Sequence, residues 1–419
     1  MREKLLEGID VGDRIKIEDK ERSYEGILMP HHRFSGEDII TIKLDNGYNI
    51  GYKINGNTEV DLIQKREGIK TKKKKSVEVD ESKPNISIIG TGGTIASYVE
   101  YKTGAVHPAQ SAEDVLYSNP EIGERCNPKV EILFSKLSED IEPQDWVKIA
   151  DKVIEEIEDG AEGIVISHGT DTMGYTSAAL SFLLQNLPVP VVLVGSQRSS
   201  DRPSSDAHLN LLSAVEVAKS ELNGVYVVMH KSMSDDRCAI HKGTKVRKMH
   251  TSRRDAFHSI NTEPVGFVDP ESGDIEINIE PKNPDGEFEK KGDVVDDVSL
   301  IYAHPGLTKE DIKNAGNNKG IVIAGTGLGH MKTKLIPELK KIIEEGKPVV
   351  MTSQCLNGTV NDHVYSAGRQ ILEAGVIPGE DMLPETALVK LMWALSLDED
   401  VEEIMKTDVA GEISERRTR

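Results

Sequence analysis

The amino-acid sequence predicts an α/β fold, with a two-domain body built on parallel sheets and a small all-β barrel domain in front of it. Three observations predict this. Apolar runs that end on small residues, residues 86–89 before Gly90-Thr91-Gly92-Gly93-Thr94-Ile95-Ala96 and residues 163–166 before His168-Gly169-Thr170-Asp171-Thr172, read as buried parallel strands. Helical patterns alternate with further runs of this kind after Pro84. Four short segments of alternating polarity crowd into the first 54 residues.

The barrel strands are placed at residues 11–17, 24–30, 39–44 and 49–54, with Asp45-Asn46-Gly47 as a hairpin signal between the last two. A run containing four consecutive lysines, Lys72 to Lys75, then Ser82-Lys83-Pro84, reads as a solvated connection. The expected boundaries are therefore a barrel over residues 1–69, a charged linker over 70–83 and a first α/β domain over 84–280. In that domain residues 189–194 form a strand, residues 206–220 form a helix with Asp206 as N-cap, and residues 224–229 form another strand. Residues 281–297 are polar, without periodicity, and read as a crossover. A second α/β domain over 298–419 holds strands at 298–303, 321–324 and 348–352, with helices at 334–345, near Ala367 and at 384–397.

With 419 residues the chain has room for two or three domains. Its three cysteines, Cys126, Cys238 and Cys355, are odd in number and far apart, which argues against a disulfide framework and for a reducing compartment. The opening residues carry both signs of charge and lack the apolar core of a signal peptide, so a cytoplasmic location is expected. The net charge of -20 falls on residues 76–419, because residues 1–75 hold 16 basic and 14 acidic side chains. A body this acidic repels a phosphate backbone and is a poor direct binder of nucleic acid.

The glycine-rich loop does not fit a nucleotide. A dinucleotide fingerprint needs a third glycine where Ile95 stands, and no Gly-x-x-x-x-Gly-Lys-Ser/Thr loop for ATP occurs in the chain. What remains is a turn that lets backbone approach a ligand and presents Thr94, the side chain able to attack. A lone threonine after glycines is more often a turn residue, so the second loop decides the matter. A threonine hydroxyl needs a base or a nearby cation to become nucleophilic, and Asp171 with a lysine supplies that chemistry. Residues 236–257, after the strand ending at Met229, form a basic island in the acidic domain. Taken alone, that island is surface charge balance.

The two loops and the lysine segment, in this order and with the loops about 75 residues apart, resemble the bacterial-type L-asparaginase family over roughly residues 84–400. The resemblance implies that Thr94 attacks a side-chain amide and is freed from its acyl ester by water. It implies that Tyr101, ahead of Thr103-Gly104-Ala105, sits on a mobile lid, that Thr170 works with a lysine, and that Asp171 holds the substrate's α-ammonium. Reading back from Thr251-Ser252 and Asp255-Ala256-Phe257 favours Lys248 as that lysine, with Lys242 and Lys245 close enough to compete. Ser138-Glu139-Asp140 resembles the family's Ser-Gln-Asp, which makes Ser138 and Glu139 candidate substrate-binding residues. His330 stands where simple asparaginases tend to have an asparagine that reaches a neighbouring subunit, and His168 shapes its turn. A homodimer is implied, and no metal or cofactor is expected on this chain.

Simple asparaginases lack the barrel. Barrel, linker and body together resemble the asparaginase-like subunit family of archaeal glutamyl-tRNA(Gln) amidotransferases. That resemblance implies a glutaminase using glutamine or asparagine to supply ammonia for converting Glu-tRNA(Gln) to Gln-tRNA(Gln). The conversion would occur on a catalytic partner subunit resembling GatE, which would carry ATP and Mg, in a heterotetramer containing a homodimer of this chain. A free-standing L-asparaginase/glutaminase with an extra N-terminal domain is the alternative. A non-catalytic adaptor on the same fold is a third reading, opposed by the intact Thr94, Thr170, Asp171 and Lys248.

Overall fold

The computed structural model describes residues 2–20, 22–31, 36–45, 49–65, 80–93, 98–99, 106–107, 119–199, 204–280 and 286–414. After one helical turn, α1 (Arg2–Leu5), five strands follow: β1 (Arg14–Glu18), β2 (Ser23–Leu28), β3 (Ile39–Lys43), β4 (Asn49–Lys53) and β5 (Glu59–Gln64). They form one antiparallel sheet in the order β4-β3-β2-β1-β5. Ile15 and Ile17 of β1 and Ile40 and Ile42 of β3 are buried in one cluster, while their sequence neighbours stay partly exposed. This is the period-2 signature of a strand with one face on a core. β5 was not foreseen, because it shows no such alternation: only Val60 is partly covered, and Leu62 and Ile63 face outward.

The first unit of the body begins with β6 (Asn85–Gly92), the two-residue ladder β7 (Tyr98–Val99) and β8 (Val106–His107), α2 (Ile122–Arg125) and β9 (Asn127–Lys136). It continues with α3 (Pro143–Glu158), β10 (Gly163–Ser167), α4 (Met173–Leu183), β11 (Leu184–Gln185), β12 (Pro190–Val194), α5 (Ala207–Ala218) and β13 (Gly224–His230). β14 (Cys238–Lys242), β15 (Val246–Lys248), β16 (Phe257–Ser259), β17 (Gly266–Val268) and β18 (Ile275–Ile277) complete it. Eight strands form the main sheet, ordered β18-β17-β14-β13-β12-β10-β6-β9. Alternate residues of its buried strands feed two cores: Ile164 and Ile166 join Trp146 and Phe182 from α3 and α4, and Val165 joins Leu211 and Val215 from α5. Helices therefore cover both faces.

The second unit contains β19 (Glu289–Lys290), β20 (Val298–Tyr302), α6 (Lys309–Ala315), β21 (Gly320–Gly325), α7 (Ile336–Glu344), β22 (Val349–Ser353), α8 (Ser366–Glu373), β23 (Ile377–Pro378), α9 (Pro384–Ala394) and α10 (Val401–Lys406). Its sheet, β20-β21-β22-β23, is parallel throughout. The core that holds Trp146 and Phe182 continues into Val322, Val350 and Trp393. Phe182 of α4 stacks on Trp393 of α9 with ring centroids 5.6 Å apart, so the two units share a core. Among the described residues no helix is long and apolar enough to cross a membrane.

The sequence reading is corrected in three places. The main sheet is mixed: β14, β17 and β18 join its edge by antiparallel pairing, where the sequence reading had only a basic island over β14 and no element over β17 and β18. Asp206 stands at the N-cap of α5, but its side chain caps no backbone amide of that helix. Its carboxylate instead accepts from the loop amides of Gln197 and Arg198 and from the side-chain Nδ2 of Asn210 one turn into α5, each at 2.9 Å. The crossover is not wholly irregular, since β19 pairs with β11.

Candidate active site

β6 and β10 are parallel neighbours in a register that sets Gly90 beside Ser167, so the two loops leave the same sheet edge together. The carboxyl ends of such strands are where open α/β sheets bind ligands. Thr91 Oγ1 donates to the Ser167 carbonyl at 2.8 Å and fastens the strand ends. Gly92 and Gly93 have φ of 116° and 81°, the region L side chains avoid. A Cβ on Gly93 would lie 2.6 Å from Gly169 N and 2.8 Å from His168 O, so one loop rests its backbone on the other. Thr94 and Tyr101 lie outside the described residues.

The second loop is shaped from beneath. His168 is wholly buried, and that burial pushes its pKa down to about 4, leaving a neutral ring. Its Nδ1 lies 2.7 Å from the Gly169 carbonyl, and its Nε2 lies 2.9 Å from Thr176 Oγ1. The carbonyl can only accept, so Nδ1–H donates to it and Nε2 accepts from the threonine hydroxyl. Thr172 Oγ1 donates to the Ser138 carbonyl at 2.7 Å and so ties this loop to the 138–140 turn, a link that sequence reasoning missed. The repeated threonine in His-Gly-Thr-Asp-Thr is the only hint of it.

Above this floor Lys248, on the short hairpin β15–β16, reaches across to the loop. Its Nζ donates to Thr170 Oγ1 at 2.8 Å and to Asp171 Oδ1 at 2.7 Å. The lysine side chain is 15% exposed and that of Asp171 66%, so the carboxylate opens to solvent while the ammonium is mostly covered. Asp171 Oδ2 accepts from the buried Ser138 hydroxyl at 3.4 Å, which also reaches the exposed Glu139 Oε2 at 3.4 Å. Ser138, Glu139, Thr170, Asp171 and Lys248 therefore converge. Lys245 instead pairs with Asp381 at 2.6 Å, and the Lys242 ammonium lies beside Gly411. His330 sits on the second unit, edge-on to Tyr365 with centroids 5.5 Å apart.

One group of carboxylates has metal-ligand proximity among the described residues, Glu155, Glu156 and Asp159. Lys129 and Lys152 already sit among them, each 2.9 Å from Glu156, so the group is an ion-pair network. It borders a cavity of about 330 Å³ at the opposite edge of the sheet, lined by Asn85, Ser87, Asn127 and Lys129 among others. That cavity is remote from the threonine loops.

A lysine bonded at once to a threonine hydroxyl and a solvent-facing carboxylate, at the carboxyl edge of an α/β sheet, has the parts of nucleophilic amide hydrolysis. Residues 85–283 match the family model of the asparaginase N-terminal domain, and residues 297–407 match that of the glutaminase/asparaginase C-terminal domain. The thermostable L-asparaginase from Thermococcus kodakarensis superposes with a TM-score of 0.71 at 38% identity, covering 79% of this chain and 100% of that one. L-asparaginase I from Vibrio cholerae gives 0.68 at 32% identity, covering 79% and 99%. Fold and site thus define an amidohydrolase of the asparaginase type.

The amino-terminal sheet narrows the class, because residues 9–63 match the GatD N-terminal domain. The D subunit of the glutamyl-tRNA(Gln) amidotransferase from Methanobrevibacter smithii is 50% identical across 98% of this chain and 95% of its own length. That from Pyrococcus furiosus is 51% identical across 97% and 95%. The chain belongs to the GatD family, the D subunits of glutamyl-tRNA(Gln) amidotransferases.

Proposed function

We propose that this chain is the glutaminase subunit of a tRNA-dependent amidotransferase. It hydrolyses the side-chain amide of glutamine and passes the ammonia to a partner subunit that converts Glu-tRNA(Gln) to Gln-tRNA(Gln). The observation that carries the chemistry is the Lys248 ammonium bonded to both Thr170 and Asp171.

In this reading the Thr94 hydroxyl attacks the amide carbon and its proton passes to Lys248, in its neutral form, through Thr170. The tetrahedral intermediate collapses with cleavage of the C–N bond, and the nitrogen takes a proton and leaves as ammonia. Water then attacks the threonyl ester, releasing glutamate and restoring the hydroxyl. Asp171, exposed and already oriented by Lys248 and Ser138, suits the substrate's α-ammonium, and Ser138 with Glu139 borders the same end. Tyr101 closes over the substrate. The absence of an ATP loop from the sequence and the acidic body support placing ATP, Mg and tRNA on a GatE-like partner in a cytoplasmic heterotetramer.

Ammonia released without an acceptor is wasted, so the lid is expected to close productively only in the assembled complex. The test measures ammonia release from glutamine by the chain alone, with its partner, and with partner and Glu-tRNA(Gln). A rise of at least tenfold in the last case, about 1.4 kcal/mol of barrier, is expected. Equal, fast rates in all three would favour a free-standing asparaginase, the reading supported by the 38% identity to the Thermococcus kodakarensis enzyme over its whole length.

A further inference from the structure

Residues 408–414 lie beyond the match to the asparaginase C-terminal model, which stops at residue 407. They are nevertheless built into the body. Glu412 is wholly buried and meets the wholly buried Lys390 of α9 at 2.5 Å. Its carboxylate also accepts from the amides of Val409 and Ala410 at 3.0 and 2.7 Å, and Lys390 donates to the Thr407 carbonyl at 2.6 Å.

From this anchor the segment reaches the lysine hairpin. Ser414 donates twice to Asp381, from its amide at 3.0 Å and from its hydroxyl at 2.6 Å. Asp381 takes a third bond from Lys245 Nζ at 2.6 Å, and Lys245 also lies 3.3 Å from Ser414 Oγ. Lys245 is only 2% exposed and precedes β15, the strand that ends on Lys248. Two more ties run from the same stretch to the second unit. Arg247 pairs with Glu385 at 3.1 Å, and the Thr244 carbonyl accepts from Thr386 Oγ1 at 2.9 Å. Thr244 Oγ1 in turn donates to the Ala410 carbonyl at 3.2 Å.

These ties matter because β15 is weak by itself. It pairs with β16 over only three residues, and a two-stranded ribbon of that size has little stability of its own. Side chains alternate along a strand, so holding residues 245 and 247 on one side aims 246 and 248 to the other. We propose that Lys245, Asp381 and Ser414 are positioning residues, which clamp β15 to the second unit and to residues 408–414 so that Lys248 stays in reach of Thr170. The inference rests on the reading of Lys248 given above.

The test uses the full chain with its partner and follows kcat and KM for glutamine. Lys245→Met leaves Asp381 bonded to both Ser414 donors and creates no buried lone cation. It is expected to lower kcat at least tenfold and to change KM less than threefold, since Asp171 keeps its bond from Ser138, which lies on another element. Lys245→Arg should restore most of kcat. Ser414→Ala, a smaller lesion that keeps the experiment decisive if Lys245→Met does not fold, should lower kcat about threefold. Ile404→Val, a core change in α10, serves as a control for destabilisation alone and should leave kcat unchanged. The clamp is overturned if Lys245→Met and Ser414→Ala both keep kcat within about 1.5-fold of the parent, or if Ile404→Val lowers it as much as they do. Lys248→Met in the same series separates the two ideas: full activity there removes the reading of Lys248 itself, whereas its loss alongside unaffected Lys245→Met and Ser414→Ala removes only the clamp.

Discussion

The contact between the two threonine loops can be tested with one methyl group. Gly93→Ala puts a Cβ 2.6 Å from Gly169 N and 2.7 Å from His168 C, both backbone atoms with no flexible side chain to swing aside. Ordinary contact begins near 3.4 Å, so the loops must part by about 0.8 Å. A misplacement near 1 Å in a catalytic constellation costs about 100-fold in rate. The substitution also carries a backbone penalty, since φ at Gly93 is +81°, about 1–2 kcal/mol for an L residue. Gly346→Ala isolates that second effect: its φ is +85°, and nothing lies within 4 Å of the added Cβ. Both variants should melt at lower temperature, and only Gly93→Ala should lose about 100-fold in kcat/KM for ammonia release by the assembled complex. If both lose activity equally, or Gly93→Ala stays within about threefold of the parent, the interlocked loops do not set the catalytic geometry.

Three other outcomes are expected. Lys248→Met should lower turnover at least about a thousandfold without unfolding the chain, because the groups it leaves behind, Thr170 and Asp171, can reach water; a variant with a tenth of parental turnover would remove its role. Phe182→Ala should destabilise the body by about 3–5 kcal/mol in denaturant melts, since its ring stacks on Trp393 across the two units, and a loss under about 1 kcal/mol would mean the units do not share that core. His168 gives a pH dependence. Its folded pKa of about 4 lies below the ordinary 6.5, so the unfolded chain takes the proton first as pH falls. The histidine's linkage therefore lowers stability progressively from about pH 6.5 to about pH 4, and by about 3 kcal/mol in all. His168→Gln does not titrate, so its stability deficit against the parent at pH 7 should shrink by about 2–3 kcal/mol at pH 4.5; a constant deficit would mean the ring is not held neutral.

How much of this was legible in the sequence depended on whether the determinants were local. Gly92 and Gly93 could be read because a left-handed turn against another backbone admits little else. β10 could be read because all five of its residues are buried, which yields an unbroken apolar run. The choice of Lys248 over Lys242 and Lys245 rested on the family resemblance alone, since three lysines within seven residues differ only in what packs against them. Asp381, 136 residues away from Lys245, removes that one from the site. Asp206 misled for a related reason: its spacing is that of a cap, yet its partners Gln197 and Arg198 lie upstream in a loop. The antiparallel strands β14, β17 and β18 are short and their order depends on edge pairing, which periodicity does not report.

The central claim is that nitrogen from the glutamine side chain, freed by this chain's threonine, is what the partner transfers. Glutamine labelled with nitrogen-15 in its amide tests it directly when incubated with the assembled complex, ATP, Mg and Glu-tRNA(Gln), with the released aminoacyl group analysed by mass spectrometry. The label is expected in the side chain of the glutamine on tRNA. With Thr94→Ala in place of the parent chain, label transfer should vanish while unlabelled ammonium chloride still supports Gln-tRNA(Gln) formation. Label transfer that survives Thr94→Ala, or Gln-tRNA(Gln) that forms from labelled glutamine without carrying the label, would contradict the account.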